Sequence, residues 1–380
     1  MTRHLLTALL LVSVTVLPVR ADFSFYGHKV SSDLHVSGIR FTSKLSQSGI
    51  NYLNNRIPEQ RVNDLTNQII RAKTAYALDD VGTILFAHKA SRAASSHDYT
   101  SQLMEYRALS KLGYDVILSY TDYEMMVFGR LDQVPAASVY LFYQNKRYTN
   151  LDFHDKKTVG QRRIFTLSTN QRSVPIRITR QTNPRLSAKL VKRIVLWEHM
   201  GKMYRIDAVT NMSLTEYLQD IPVMEIGKSY VNRGCSPQFE ESVVSALRKE
   251  LEAFESPSDK AEFLLAFVQK AFRYQTDEEQ FGHEKYNYPE ETLLYTYSDC
   301  EDRTLLLAFL YKRLLNLNSV AMYFQNDKHI SLAVALPDHS NDYSFQYKGV
   351  KYVACEPTGI GFHLGDMGLS LERITEVIEL

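Results

Sequence analysis

Cysteine and tryptophan are scarce in this chain, with three and one in 380 residues, and the net charge is only +1. So few cysteines exclude a small domain held by a disulfide framework. A balance so near neutral argues against nucleic acid as the main partner. His-Glu-x-x-His, paired Cys-x-x-Cys, an acidic calcium loop and a Gly-rich phosphate loop are all absent. The sequence therefore supports neither a metal nor a cofactor. A long apolar run is missing too. The only candidate, Leu5 to Leu17, is too short for a comfortable membrane span. It follows Arg3-His4 and precedes the small-residue site Val19-Arg20-Ala21, so residues 1–21 read as a signal peptide. The expectation is an exported protein, periplasmic or secreted, without a transmembrane segment.

What is present is the stretch Tyr297-Ser-Asp-Cys-Glu-Asp-Arg303, followed at once by the apolar run Thr304 to Leu310. Ser298 suits an N-cap, with Glu301 closing a capping box, so Cys300 falls at the second helical position. There the unpaired N–H groups and the positive end of the helix favour a thiolate. Downstream, Lys328 to Leu336 alternates, with Ile330, Leu332, Val334 and Leu336 on one face. His329 opens this strand on the opposite face, beside Ser331, Ala333 and Ala335. A second alternating run, Tyr347 to Glu356, is stopped by Pro357-Thr358-Gly359. A thiol nucleophile needs a base in reach and a third group to orient the base. Cys300, His329 and Glu356 supply these types in that order.

From Tyr274 to Gly359 the chain resembles bacterial transglutaminase-like, papain-related proteins. The resemblance rests on Phe272-Arg-Tyr-Gln-Thr-Asp277, Pro289-Glu-Glu-Thr292, Ser298-Asp-Cys-Glu-Asp-Arg303, the His329 strand and Glu356-Pro-Thr358. It implies Cys300 as nucleophile, His329 as general base and acid, and Glu356 as the orienting carboxylate. The family usually carries Asp before Pro-Thr; Glu356 is one methylene longer, and Glu fills this role on other folds. The backbone N–H of Cys300 is the first oxyanion donor to expect, with Gln280 as a side-chain candidate.

The two halves echo one another. Tyr347-Lys-Gly-Val-Lys-Tyr352-x-x-x-Glu356 answers to Tyr143-Gln-Asn-Lys-Arg-Tyr148-x-x-x-Asp152, and Asp299 to Leu306 answers to Leu78 to Leu85. This implies a duplicated core. Its first copy carries Asp79 and either Glu124 or Met125 at the thiol and imidazole positions, and only Asp152 keeps its type. Such a copy is chemically inert. The expected class is α+β, with a degenerate copy over 22–154, a basic β-rich connector over 155–210 and the transglutaminase-like domain over 211–380. Helices are expected over Arg61 to Tyr76, Ser101 to Leu112, Pro237 to Phe254 and Pro257 to Ala271, and a hairpin around His199 to Lys202.

Between Lys156 and Leu196 there is no acidic residue, while Lys156, Lys157, Arg162, Arg163, Arg172, Arg177, Arg180, Arg185, Lys189, Lys192 and Arg193 accumulate. This patch is either a solvated β surface or a contact for an anionic partner. Cys235 and Cys355 either pair, leaving Cys300 free, or Cys355 packs as a small apolar residue. His283, Glu284 and His363 read as exposed loop residues. The functional expectation is an acyl-transfer enzyme acting on a protein or peptide, with the cell envelope as one source of such substrates. Water as acceptor makes it a peptidase or amidase, and a lysine amine makes it a cross-linking transferase. The alternative is a non-catalytic binding or scaffold protein on the same fold.

Overall fold

The computed structural model describes residues 21–36, 44–136, 138–154, 161–167, 173–178, 183–336 and 343–380. The expected signal peptide lies outside these, apart from Ala21. The chain is α+β. A short hairpin, β1 (Phe23–Phe25) and β2 (His28–Val30), precedes four helices. These are α1 (Gln47–Arg56), α2 (Glu59–Ala75), α3 (Asp80–Ala94) and α4 (Asp98–Lys111). The helix expected over Arg61 to Tyr76 is α2, which buries Leu65, Ile69 and Ala72 of its expected apolar side, whereas Ile70, expected there too, is exposed. Gly113, just beyond α4, takes φ 88°, the left-handed conformation that ends helices.

Five strands follow: β3 (Val116–Tyr120), β4 (Met125–Gly129), β5 (Tyr140–Tyr143), β6 (Lys146–Asn150) and β7 (Arg163–Phe165). They form an antiparallel sheet in the order β5-β6-β4-β3-β7. Arg163 to Phe165 therefore belongs to the first sheet, as an edge strand beside β3, and not to a separate connector. Val174 and Ile176 make only isolated bridges, to Tyr114 and Leu131. The connector proper is the hairpin β8 (Leu190–His199) and β9 (Lys202–Asn211). Met200 and Gly201 turn it at φ 50° and 76°, both left-handed as a tight hairpin demands. Its Trp197 packs edge-on against Phe263 and Phe267 of a later helix, tying the hairpin to the second half.

The second half adds α5 (Met212–Gln219), α6 (Lys228–Val231), α7 (Pro237–Phe239), α8 (Ser245–Leu251) and α9 (Pro257–Ala271). Ser236 and Ser256 cap α7 and α9 before a first-turn proline. The helix expected over Pro237 to Phe254 is interrupted by a π turn at Glu240–Val244. Next come β10 (Arg273–Tyr274), α10 (Asp277–Phe281), α11 (Pro289–Thr292), β11 (Tyr297–Ser298) and α12 (Cys300–Leu310). The last strands are β12 (Ser319–Phe324), β13 (His329–Val334), β14 (Ser344–Tyr347), β15 (Val350–Cys355) and β16 (Glu376–Glu379). Their order, β14-β15-β13-β12-β16, repeats that of the first sheet strand for strand.

Each sheet is covered on both faces. In the second, Leu332, Val334, Val353 and Cys355 join the main core with α9 and α12, while Met322, Phe324, Ala333 and Ala354 form a separate outer cluster. Among the described residues no helix is long and apolar enough to cross a membrane.

Much of the basic stretch is occupied within the chain. Arg162 binds Ser119 and Glu124, Arg163 binds Asp122, and Arg177 binds Asp80. Lys189 pairs with Glu216, and Arg193 donates to the Ala271 carbonyl and lies over Phe272. Lys156, Lys157, Arg172 and Arg180 lie outside the described residues.

Candidate active site

Cys300 is the first residue of α12, one position earlier than the capping argument placed it. Asp299 is the N-cap, and its carboxylate accepts from the Asp302 N–H. Ser298 remains extended because β11 pairs in parallel with β10, so the helix starts one residue later. Its hydroxyl instead accepts from Nε of Arg303 at 3.0 Å. The N–H groups of Cys300 and Glu301 then stand in the first turn, where no intrahelical acceptor exists. Packing against Ala321 and Ile330 holds the sulfur in place, and Cys300 is 7% exposed.

His329 begins β13, directly after Lys328 in the left-handed conformation at φ 49°. The alternation put it on the face away from Ile330, yet Cys300 lies on the Ile330 side. At the first residue of a strand the pleat fixes side-chain direction least, and the imidazole does meet the sulfur. Nδ1 of His329 is 3.2 Å from Sγ of Cys300, and Nε2 is 2.8 Å from Oε2 of Glu356. The other carboxylate oxygen of Glu356 accepts from the Thr358 N–H at 2.9 Å. Gln269 of α9 donates to the Glu356 carbonyl and to that of Phe362, both at 2.9 Å. The extra methylene of Glu356 is thus accommodated. Burial disfavours a charged imidazole here, but the bonds to Cys300 and Glu356 prevail, and the pKa of His329 is pushed up to about 10.

Arg303 underpins the arrangement. Almost wholly buried, it donates to Ser298 Oγ and to the carbonyls of Gln269, Phe272 and Thr358. It joins the start of α12, the end of α9 and the turn after Glu356. Two further features were not read from the sequence. The Tyr274 hydroxyl lies 4.0 Å from the Cys300 sulfur. Tyr274 was visible only as part of the family-like block, without a role. Gln280 is half-buried, and among the described residues its side chain makes no hydrogen bond to Cys300 or His329.

The second feature is a buried trio, Asp277, Asp299 and Asp302, with carboxylate oxygens within 4.8 Å of one another. No contiguous acidic loop announced it, because Asp277 comes from the start of α10 while the others flank Cys300. Hard oxygen ligands so placed could hold a divalent cation. As the chain stands, burial and then mutual repulsion push Asp277 up to about 7. Burial and then Glu301 push Asp299 up to about 7 as well, and burial with Asp299 raises Asp302. A carboxyl whose pKa is raised on folding stabilises below its ordinary value near 3.8 and loses that contribution as pH rises through about 7. We therefore expect Asp277→Asn to raise the thermal midpoint at pH 8, with the gap closing as pH falls below 7. A melting series over pH 5 to 8 checks this; a midpoint at pH 8 unchanged or lowered would contradict it, since Asp277 also accepts from the Lys285 N–H at 2.7 Å.

The three cysteines are free, so the Cys235–Cys355 disulfide is not formed. Cys235 sits beside Glu240, and burial together with Glu290 and Glu240 pushes its pKa up to about 12. Cys355 is fully buried against the Tyr311 hydroxyl, packed as a small apolar residue. His283 and His363 are exposed. No family model matches the chain, and no curated protein matches it in sequence.

Proposed function

We propose that the chain is an exported, transglutaminase-like cysteine acyl-transfer enzyme, with Cys300, His329 and Glu356 as its triad. The contact line from Sγ through the imidazole to Glu356, 3.2 Å and then 2.8 Å, carries this reading. The Cys300 sulfur attacks an amide or ester carbonyl, forming the C–S bond as the carbonyl electrons move onto oxygen. Backbone N–H groups at the start of α12 face the developing oxyanion, with the Tyr274 hydroxyl nearby. On collapse the C–N or C–O bond breaks, and His329 passes its proton to the leaving group. Water or an amine then attacks the thioester, His329 takes the attacker's proton, and the thiolate leaves. Glu356 keeps the ring oriented and compensates its charge throughout.

Substrates in this reading are proteins or peptides. A small activated ester tests the chemistry without knowledge of them. With p-nitrophenyl acetate the expected result is a burst of one nitrophenolate per chain and one acetyl group on Cys300, found by peptide mass spectrometry. Acetylation spread over lysines without a burst would favour the binding or scaffold reading.

A further inference from the structure

The first half holds no cysteine, and Asp79, matched by sequence to the thiol's place, only caps α3 and pairs with Arg233. Its edge strand carries something the second half lacks. β5 and β14 end their sheets in the same way, and the two edge hairpins agree in register. Tyr143 and Tyr148 stand where Tyr347 and Tyr352 stand, and Arg147 stands where Lys351 does. Leu141 and Tyr143 pack inward on Ile117, Met126, Phe128 and Tyr148. On the other face of the strand, Tyr140 and Phe142 occupy the places of Ser344 and Gln346. The fold therefore does not require aromatic side chains there, yet Tyr140 is 45% and Phe142 70% exposed.

The same two residues turn their backbone outward. The Asn150 N–H donates to the Val139 carbonyl, and bonded residues alternate along an antiparallel pair. Leu141 and Tyr143 thus bond to β6, while the N–H and C=O groups of Tyr140 and Phe142 point away from it. Among the described residues no strand other than β6 pairs with β5. Charge narrows the class of partner. From Val139 to Leu151 there is no acidic residue. The half-buried Arg147 guanidinium lies 3.7 Å over the Tyr140 ring. Among the described residues neither Arg147 nor Lys146 has a carboxylate partner, and only Nε of Arg147 is sealed from solvent. Terminal guanidinium nitrogens in reach of solvent and without an acceptor suit an anion. A second copy of this chain would bring the same cations to the edge and is disfavoured.

We propose that β5 accepts an extended acidic segment of a partner protein as an added antiparallel strand. The backbone of the segment pairs with Tyr140 and Phe142. An apolar side chain of the segment lies against Phe142, and a carboxylate level with Tyr140 meets Arg147. No bond is made or broken. The edge holds a partner and takes no part in acyl transfer.

The test is fluorescence anisotropy on the intact chain with a labelled, end-blocked heptapeptide, Thr-Glu-Thr-Val-Thr-Glu-Thr. A second peptide carries lysine in place of glutamate. Two more carry N-methyl groups, one on the valine and both glutamates, the other on the two inner threonines. We expect saturable binding of the first peptide and at least tenfold weaker binding of the lysine peptide. Methylation at valine and glutamate removes the donors facing β5 and should cost about tenfold, whereas methylation at threonine should cost little. Arg147→Gln should weaken binding about tenfold and Phe142→Gln about threefold. Phe142 is exposed, and β14 carries glutamine at the level place, so this variant folds even if Arg147→Gln does not. No binding up to millimolar peptide, equal binding of the glutamate and lysine peptides, equal binding of the two methylated peptides, or indifference to both variants overturns the proposal. Binding of a trigalacturonate without binding of the peptide would assign the edge to an anionic glycan and overturn it too. The measurement involves no turnover, so it stands apart from the fate of the Cys300 proposal.

Discussion

Cys300→Ala is expected to lower acyl transfer by about 10⁴-fold or more and to abolish the nitrophenolate burst, because no other group in the site can form the acyl intermediate. The chain should still fold. Cys300 packs in a small cluster with Ala321 and Ile330, and alanine at the first helical position keeps both the helix and its Asp299 cap. Of the other thiols, Cys355 is sealed in the core and Cys235 is held far above its ordinary pKa beside two glutamates. Neither offers a substitute thiolate. Burst amplitude together with a melting curve separates the outcomes: a retained burst removes Cys300 from the chemistry, and lost folding makes the residue structural.

Arg303→Met should give the largest change in stability, about 3–5 kcal/mol, read from chemical denaturation. Methionine fills much of the space but donates nothing. It leaves the Ser298 hydroxyl and the carbonyls of Gln269, Phe272 and Thr358 without their shared partner. Because these acceptors lie on three separate segments, the loss also loosens the turn that orients Glu356, and the burst should slow with it. Arg303→Lys should recover only part, since one ammonium cannot reproduce the planar fork. A change below about 1 kcal/mol would show that the network does not hold the site together.

Much of this was legible in local pattern. The apolar run after Asp302 announced α12, the alternation around Ile330 and Leu332 announced β13, and Pro257 with Gly113 marked helix ends. The Cys300, His329 and Glu356 order was readable because each stands at the boundary of a strongly patterned element. What escaped depends on pairing at a distance. Ser298 lost its capping role to a two-residue parallel bridge with Tyr274, which no local propensity encodes. Asp277 meets Asp299 only because α10 folds back onto the start of α12. In the first half, Leu78 to Leu85 resembles Asp299 to Leu306 in its letters, but α4, not α3, leads into β3 as α12 leads into β12. Strand order is a property of the whole sheet, and the single sequence carried only faint traces of it.

Alkylation of Cys300 by iodoacetamide, followed by peptide mass spectrometry from pH 5 to 9, tests the sulfur–imidazole pairing most directly. We predict labelling of Cys300 at least tenfold faster than that of Cys235 across this range, and lost with His329→Gln. Equal labelling of the two thiols, or a Cys300 rate unchanged by His329→Gln, would contradict it.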